Sequence, residues 1–324
     1  MLRENGSPAV KFPLLLFVAG DCMTPMSVEF VMKCTRKEFL AGMVAGLAAL
    51  GMPGLARAAE GQVPSQEKKK KKLTSAAKVE IEWLGHGSFK FVAPGGRVIL
   101  LDPWISTNPK VPIRYRDGKG FGHVDLMVFT HGHVDHFMLP DVKKLVNLYD
   151  PDIIAPWELD FFIKSEIPQA KCMTFQLANI GATFDYHGTA ISMVNAVHSS
   201  GAQLTGFSGT NKYMGRPVGY VFAFENGTTV YHSGDTALMA DMKLVIGDYY
   251  KPDIAILPIG NVFTMGPKEA AYACKMIRPS IAIPEHYATF PALEQTADRF
   301  VDALARTRPE TRALVLEPGK PVRL

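Results

Sequence analysis

Cysteine is scarce in this 324-residue chain: there are four, and no two stand in Cys-x-x-Cys spacing. That excludes a zinc ribbon and gives no disulfide framework. Cys22 and Cys34 fall in a front segment expected to be removed, which leaves Cys172 and Cys274. Two buried free thiols are the expectation for them, with one long-range bridge as the alternative. No Gly-x-Ser-x-Gly occurs, so nothing points to an activated serine nucleophile. An excess of one charge is missing too. From residue 59 the chain carries 29 Lys/Arg against 27 Asp/Glu, and from residue 73 its net charge is −1. This leaves no basic footprint for nucleic acid. No sequence repeat is visible. A single apolar run, Phe39 to Leu55, approaches the length of a short membrane span.

What remains describes a globular protein with a large core: 47% hydrophobic and 20% charged residues. The excess length lies at the front. Basic residues from Met32 to Lys37 lead into the apolar, small-residue run Ala41 to Leu55, and Ala56-Arg57-Ala58 follows. This is the order of an export signal with an Ala-x-Ala cleavage site. Thr35-Arg36-Lys37-Glu38-Phe39-Leu40 resembles a twin-arginine signal with Lys37 in place of the second arginine. The alternative is a transmembrane anchor, against which stand the glycines, Pro53 and the small-residue end of the run. Met32 would serve as a true start, making residues 1-31 upstream sequence. The expected organisation is therefore an upstream segment and signal over 1-58 and a polar linker over 59-78, with five consecutive lysines at 68-72. The folded body follows over 79-324. A mature chain beginning near Ala59 would be periplasmic and keep no stable membrane anchor; without a working signal it would be cytoplasmic.

The body is organised around Thr130-His131-Gly132-His133-Val134-Asp135-His136, directly after the apolar run Leu126 to Phe129. Neutral imidazole and carboxylate are what a borderline divalent metal takes at neutral pH, and two such ions ~3.5–4 Å apart can share a hydroxide. His131 and His133 can face one ion together; Asp135 and His136 turn toward a second. Short strands are expected before the motif, at Val79 to Leu84, Ser88 to Ala93 and Arg97 to Leu101. Beyond it α/β alternation is expected. Helices are read at Phe137 to Tyr149, Trp157 to Glu166, Leu238 to Ile246, Pro267 to Ile277 and Glu294 to Arg306. Strands are read at Asp152 to Ala155, Lys171 to Phe175, Ala182 to Tyr186, Ala190 to Val197, Val218 to Glu225, Thr228 to His232, Ile254 to Pro258, Ile281 to Pro284 and Ala313 to Leu316. Asn226-Gly227 signals a type I′ hairpin. Strands and helices recur twice in similar order, which suggests two packed sheets with helices outside. His198, Asp235 and His286 each stand just past a strand. His123 reads as a surface histidine.

The order His-x-His-x-Asp-His, then His198, then His232-Ser233-Gly234-Asp235-Thr236, then His286 resembles the metallo-β-lactamase superfamily from about Val79 to Gly319. Leu84 to Phe89, Ala196 to Ser200, Pro258-Ile259-Gly260, Phe263 to Pro267 and His286 to Pro291 are similar to its bacterial and archaeal metal-dependent hydrolases. These are related to ascorbate-phosphate lactonases and N-acyl-phosphatidylethanolamine phospholipases. The resemblance implies an α/β fold, the αββα sandwich of two mixed sheets. It implies that His131, His133 and His198 hold a first divalent ion, that Asp135, His136 and His286 hold a second, and that Asp235 bridges them. Zinc is the expected metal, with manganese or iron as alternatives. Asn261, Glu285 and Ala288 depart from residues common in that branch.

The expected activity is hydrolysis of a small-molecule ester, lactone or phosphodiester by a bridging hydroxide, with Asp135 orienting the water and taking its proton. Competing readings are an iron-dependent redox enzyme on the same fold, although di-iron members usually carry Glu where His133 stands, and a non-catalytic metal-binding protein. Lys212 and Arg216 are candidate substrate contacts, with solvated surface as the alternative; His86, His187 and His232 read as structural or as supports behind the ligands, and His86 is the best of the three as a candidate substrate contact. A homo-oligomer is compatible with the sequence.

Overall fold

The computed structural model describes residues 10–15, 27–32 and 77–324, except 174–175, 177–178 and 204–210. Most of the expected signal and linker therefore lies outside the described residues. Ahead of residue 72 the chain forms a separate unit, in which β1 (Val10–Leu15) pairs antiparallel with β2 (Ser27–Met32). No described helix is long and apolar enough to cross a membrane.

The body opens with the meander β3 (Glu80–Gly85), β4 (Ser88–Val92) and β5 (Val98–Leu101). It continues through β6 (Leu126–Val128), α1 (Leu139–Tyr149), β7 (Asp152–Ile154), α2 (Trp157–Glu166) and β8 (Lys171–Cys172). A second series follows: β9 (Thr183–Tyr186), β10 (Thr189–Asn195), the short pair β11 (Gly201–Gln203) and β12 (Asn211–Tyr213), β13 (Val218–Ala223) and β14 (Thr229–His232). A π-helical segment, Met242–Tyr250, leads to β15 (Ile254–Pro258), α3 (Pro267–Ile277), β16 (Ile281–Glu285), α4 (Asp298–Thr307), β17 (Arg312–Ala313) and β18 (Val322–Arg323).

Apart from β11 and β12, which form a two-stranded sheet of their own, these strands make two seven-stranded sheets, ordered β18-β3-β4-β5-β6-β7-β8 and β17-β16-β15-β14-β13-β10-β9. In each, antiparallel hairpins pass into parallel pairs. The near-unbroken apolar runs of β5 and β6 arise because both faces are covered, and alternate side chains go to opposite layers. Ile99, Leu101, Leu126 and Val128 share a buried layer with Ile191, Tyr220 and Phe222 of the second sheet. Val98, Leu100, Met127 and Phe129 instead pack with Val142, Leu145, Leu159 and Ile163 of α1 and α2. On the other side Ala270, Cys274 and Phe300 of α3 and α4 close over the second sheet. This is the αββα sandwich expected from the sequence. Both body cysteines are free, Cys274 buried and Cys172 half-buried, so the bridge is not formed.

Some boundaries move. The expected helix over 238–246 begins only at Met242, because the residues before it form the loop that follows Asp235. The helix expected from Glu294 begins at Asp298. Residues 294–297 serve the preceding loop instead, where Ala288 N donates to Glu294 O (2.8 Å) and Gln295 Nε2 to Leu293 O (2.7 Å). The strand expected over 313–316 is the two-residue β17, and the expected strand from Lys171 is described only as far as Cys172. The Asn226-Gly227 hairpin forms, but Gly227 has φ +92 and Asn226 is not left-handed. With Gly227 N donating to Phe224 O (2.9 Å), the turn is an ordinary β-turn ending on a left-handed glycine, not type I′.

Candidate metal centre

The donors sit at strand ends on one edge of the two sheets. β6 delivers the motif at residues 131–136, β10 leads to His198, β14 to Asp235, and β16 to His286. The motif loop is fastened by a residue that sequence reading passed over. Asp102, just past β5 and fully buried with φ +45, accepts from Thr130 N (2.7 Å) and Thr130 Oγ1 (2.6 Å) and meets His136 Nδ1 at 2.8 Å. Its only sequence signal was an acidic residue ending an all-apolar strand beside the motif strand. A carboxylate on the far nitrogen of an imidazole fixes its tautomer and leaves the other nitrogen free for a metal. Close approach matters equally: a Cβ at Gly87 would lie 2.5 Å from His136 Cε1.

Two separate donor groups result, His131, His133 and His198 in one and Asp135, His136 and His286, joined by His86, in the other; a third set, Asp102, His131 and His136, overlaps both. In the first, His133 Nδ1 lies 3.0 Å from His131 Nε2 and 3.3 Å from His198 Nε2. Ligands around tetrahedral zinc stand roughly 3.3 Å apart, given Zn–N near 2.0–2.1 Å. Asp235 lies between the groups. Its Oδ2 is 3.1 Å from His286 Nε2, 3.5 Å from His198 Nε2 and 3.9 Å from His131 Nε2, while Oδ1 is 3.3 Å from His136 Nε2. Asp235 Oδ1 and His136 Nε2 are buried without any hydrogen bond. Buried polar atoms usually find a partner, so two orphans facing each other at 3.3 Å fit a shared cation.

The electrostatics supply ligand forms. Burial lowers His133 to about 4, helped by His198, and lowers His86 to about 4, helped by His286. Both are neutral at pH 7. Burial opposes charge on Asp135, yet the hydrogen bond from His86 and the nearness of His136 hold its carboxyl well below the usual range. Burial likewise opposes charge on Asp235, but His136 and His286 outweigh it. His136 keeps its proton well above the usual range, against burial, because Asp235 and Asp102 flank it. His136 would offer Nε2 to a divalent cation in place of that proton.

A cavity of about 770 Å³ opens over these groups. Its polar lining is His133, Asp135, His198, Ser199, Asp235 and His286, and the rest is Val134, Gly201, Val262, Phe263, Phe290, Pro291 and Ala292. The three expected substrate contacts are elsewhere. His86 is fully buried, its ring centroid 3.7 Å from that of His286 and its Nε2 3.0 Å from Asp135 Oδ2, so it lies behind the donors and not in the cavity. Lys212 Nζ rests 5.5 Å from the Phe162 ring. Arg216 bonds Asn195 Oδ1 (3.1 Å) and borders a separate cavity with Glu158. Both follow His198 closely in sequence, but β12 and its following turn carry them away from the donors. His123 is 64% exposed beside Asp125. His187 occupies a left-handed turn position against Tyr186. His232 is buried and accepts from Gly234 N, and burial lowers it to about 3.

Residues 97–287 match the model of the Beta-lactamase superfamily domain. A UPF0173 metal-dependent hydrolase of Roseiflexus sp. is 39% identical over 250 residues, covering 77% of this chain and 99% of its own. One from Cupriavidus necator is 38% identical over 294 residues, 89% of this chain and 98% of its own. Among solved structures, the metallo hydrolase Igni18 of Ignicoccus hospitalis superposes with TM-score 0.63 at 30% identity, over 76% of this chain and 98% of its own. An isothiocyanate hydrolase from Delia radicum gut bacteria, TM-score 0.56 and 18% identical over 75% of this chain and 98% of its own, shares the fold. The chain belongs to the metallo-β-lactamase superfamily, in its branch of UPF0173 metal-dependent hydrolases. It is an enzyme, a hydrolase that depends on metal.

Proposed function

We propose that the centre holds two divalent ions, zinc first, and that the enzyme hydrolyses an ester, lactone or phosphodiester of a small molecule. The observation that carries this is Asp235, which faces imidazoles of both groups within 3.9 Å and keeps an orphan oxygen toward His136 Nε2. On this reading His131, His133 and His198 hold one ion, Asp135, His136 and His286 the other, and Asp235 touches both. Ions so placed would polarise the scissile carbonyl or phosphoryl group and bring water toward a pKa of ~7. The chain's own residues supply the rest. Asp135 is anchored through Oδ2 by His86 and borders the cavity, where it orients an attacking water and takes its proton. Asp102 and Thr130 keep His136 from turning.

Removing metal from the purified protein with a chelator is expected to abolish hydrolysis of aryl esters and phosphodiesters, and added zinc to restore it. Elemental analysis should find close to two ions per chain. Full activity in chelator, with no metal bound, would remove the reading. Export belongs to the same proposal, supported by the basic, apolar and Ala-x-Ala order of residues 32–58. N-terminal sequencing of the native protein is expected to begin near Ala59; residues 32–58 intact in a soluble cytoplasmic fraction would overturn it.

A further inference from the structure

Among the described residues, the polar side chains that line the cavity are Ser199 and members of the donor groups with Asp235, and no lysine or arginine lines it. Residues 204–210, which follow Gly201 in the chain and lie outside the described residues, contain none in their sequence. The rest of its lining is apolar and conspicuously uncovered: Val262 is 59% exposed and Phe263 57%. Adjacent exposed apolar side chains at a cavity mouth mark a binding surface.

This wall is held in place from within. Asn261, at φ +74, turns the loop between β15 and α3; Thr264 N donates to Asn261 O (2.7 Å) and Asn261 N to Met265 O (3.0 Å). Met265 N then donates to Thr236 O (3.1 Å), beside Asp235. The loop after His286 is fastened to the first, since Glu294 N donates to Gly260 O (3.2 Å). Its Phe290 stacks on Trp104 at 5.9 Å between ring centroids. Two braced loops thus carry the apolar lip, one tied beside Asp235 and the other following His286.

We propose, resting on the hydrolase reading above, that the lip receives an apolar chain or ring on the acyl side of the scissile bond. The substrate class is then an uncharged carboxylic ester or lactone, without a phosphate or second carboxylate remote from the reacting carbonyl. An anion pressed against aliphatic walls loses its hydration and finds no cation in return, whereas each buried methylene gains from leaving water. In the reaction a water oxygen bonds the carbonyl carbon and the carbon–oxygen bond to the alcohol breaks. One water proton passes through Asp135 to the leaving oxygen, and the other is released as the acid ionises.

The test uses the full zinc-loaded chain with p-nitrophenyl octanoate, p-nitrophenyl acetate and mono-p-nitrophenyl succinate. Octanoyl is expected to exceed acetyl in kcat/KM at least about tenfold, with succinyl below acetyl. Phe263→Lys, an exposed position whose change leaves the core intact, should reduce the octanoyl advantage to within about twofold and favour succinyl. Leu244→Lys, on the exposed face of the π-helical segment, should leave the preference unchanged. Calorimetric binding of octanoate against acetate separates the two layers of the argument. If the esters are hydrolysed without octanoyl preference, the inference is overturned and the hydrolase reading stands. If none is hydrolysed but octanoate still binds at least about tenfold tighter than acetate, the apolar site stands and the ester reading falls. If neither effect appears, both fall.

Discussion

Asp235→Ala is expected to purify with almost no metal, whereas Asp135→Ala keeps the ion held by His131, His133 and His198. Among the described residues, Asp235 is the one carboxylate within 3.9 Å of imidazoles from both donor groups. Its loss opens two coordination spheres and removes the anion that lets two cations sit a few ångströms apart. Asp135 is tied to the second group alone, through His86. Its removal leaves the first triad complete. Hydrolysis should fall about 10²–10³-fold or more in both variants, the scale on which a preorganised electrostatic group acts. Metal per chain, measured on proteins purified identically without added metal, separates them. Two ions retained in Asp235→Ala together with none in Asp135→Ala would mean that the two aspartates have each other's roles.

His86→Ala is expected to lower kcat about 10–100-fold while leaving KM near its original value, the pattern of a lost support behind a reactive group. The imidazole holds Asp135 Oδ2 at 3.0 Å and lies under the His286 ring, yet does not border the cavity. It therefore positions and does not touch substrate. The second ion should be partly lost, because Asp135 and His286 both lean on His86. His86→Asn should recover part of the loss: an amide can still donate to Asp135, and asparagine tolerates the left-handed φ of +57 found here. A raised KM with unchanged kcat in His86→Ala would give His86 a role in substrate contact instead.

The contrast between Asp235 and His86 shows what was legible. The donors could be read because metal chemistry gathers rare residue types into six positions and then at strand ends, a pattern few other demands produce. The layers were legible through the apolar runs of β5 and β6, whose two-sided burial removes the usual alternation. What could not be read depends on distant approach. Asp102 looks like any residue ending a strand until β6 is laid beside β5. β18 has no signal of its own, since its partner β3 lies at the opposite end of the body, Val322 against Ile81. The short distance in sequence from His198 to Lys212 and Arg216 carried no information on direction, and both point elsewhere.

One feature of the centre bears on how long the molecule lasts. Four donors hang from the first sheet and three from the second, so bound ions would fasten segments as far apart as His136 and His286, 150 positions along the chain. With Cys172 and Cys274 both unpaired, such ions would add to the shared apolar layer and to hydrogen bonds such as Tyr220 Oη to Phe129 O (2.8 Å) a cross-link that no disulfide makes among the described residues. A clasp of this kind restricts the opened chain far more than the closed one, and it holds only while metal is bound. The Asp235→Ala protein should accordingly be cut by trypsin faster than its parent, by separation of the sheets and not by any new site. Metal supply would then govern the lifetime of the protein in its compartment as well as its rate.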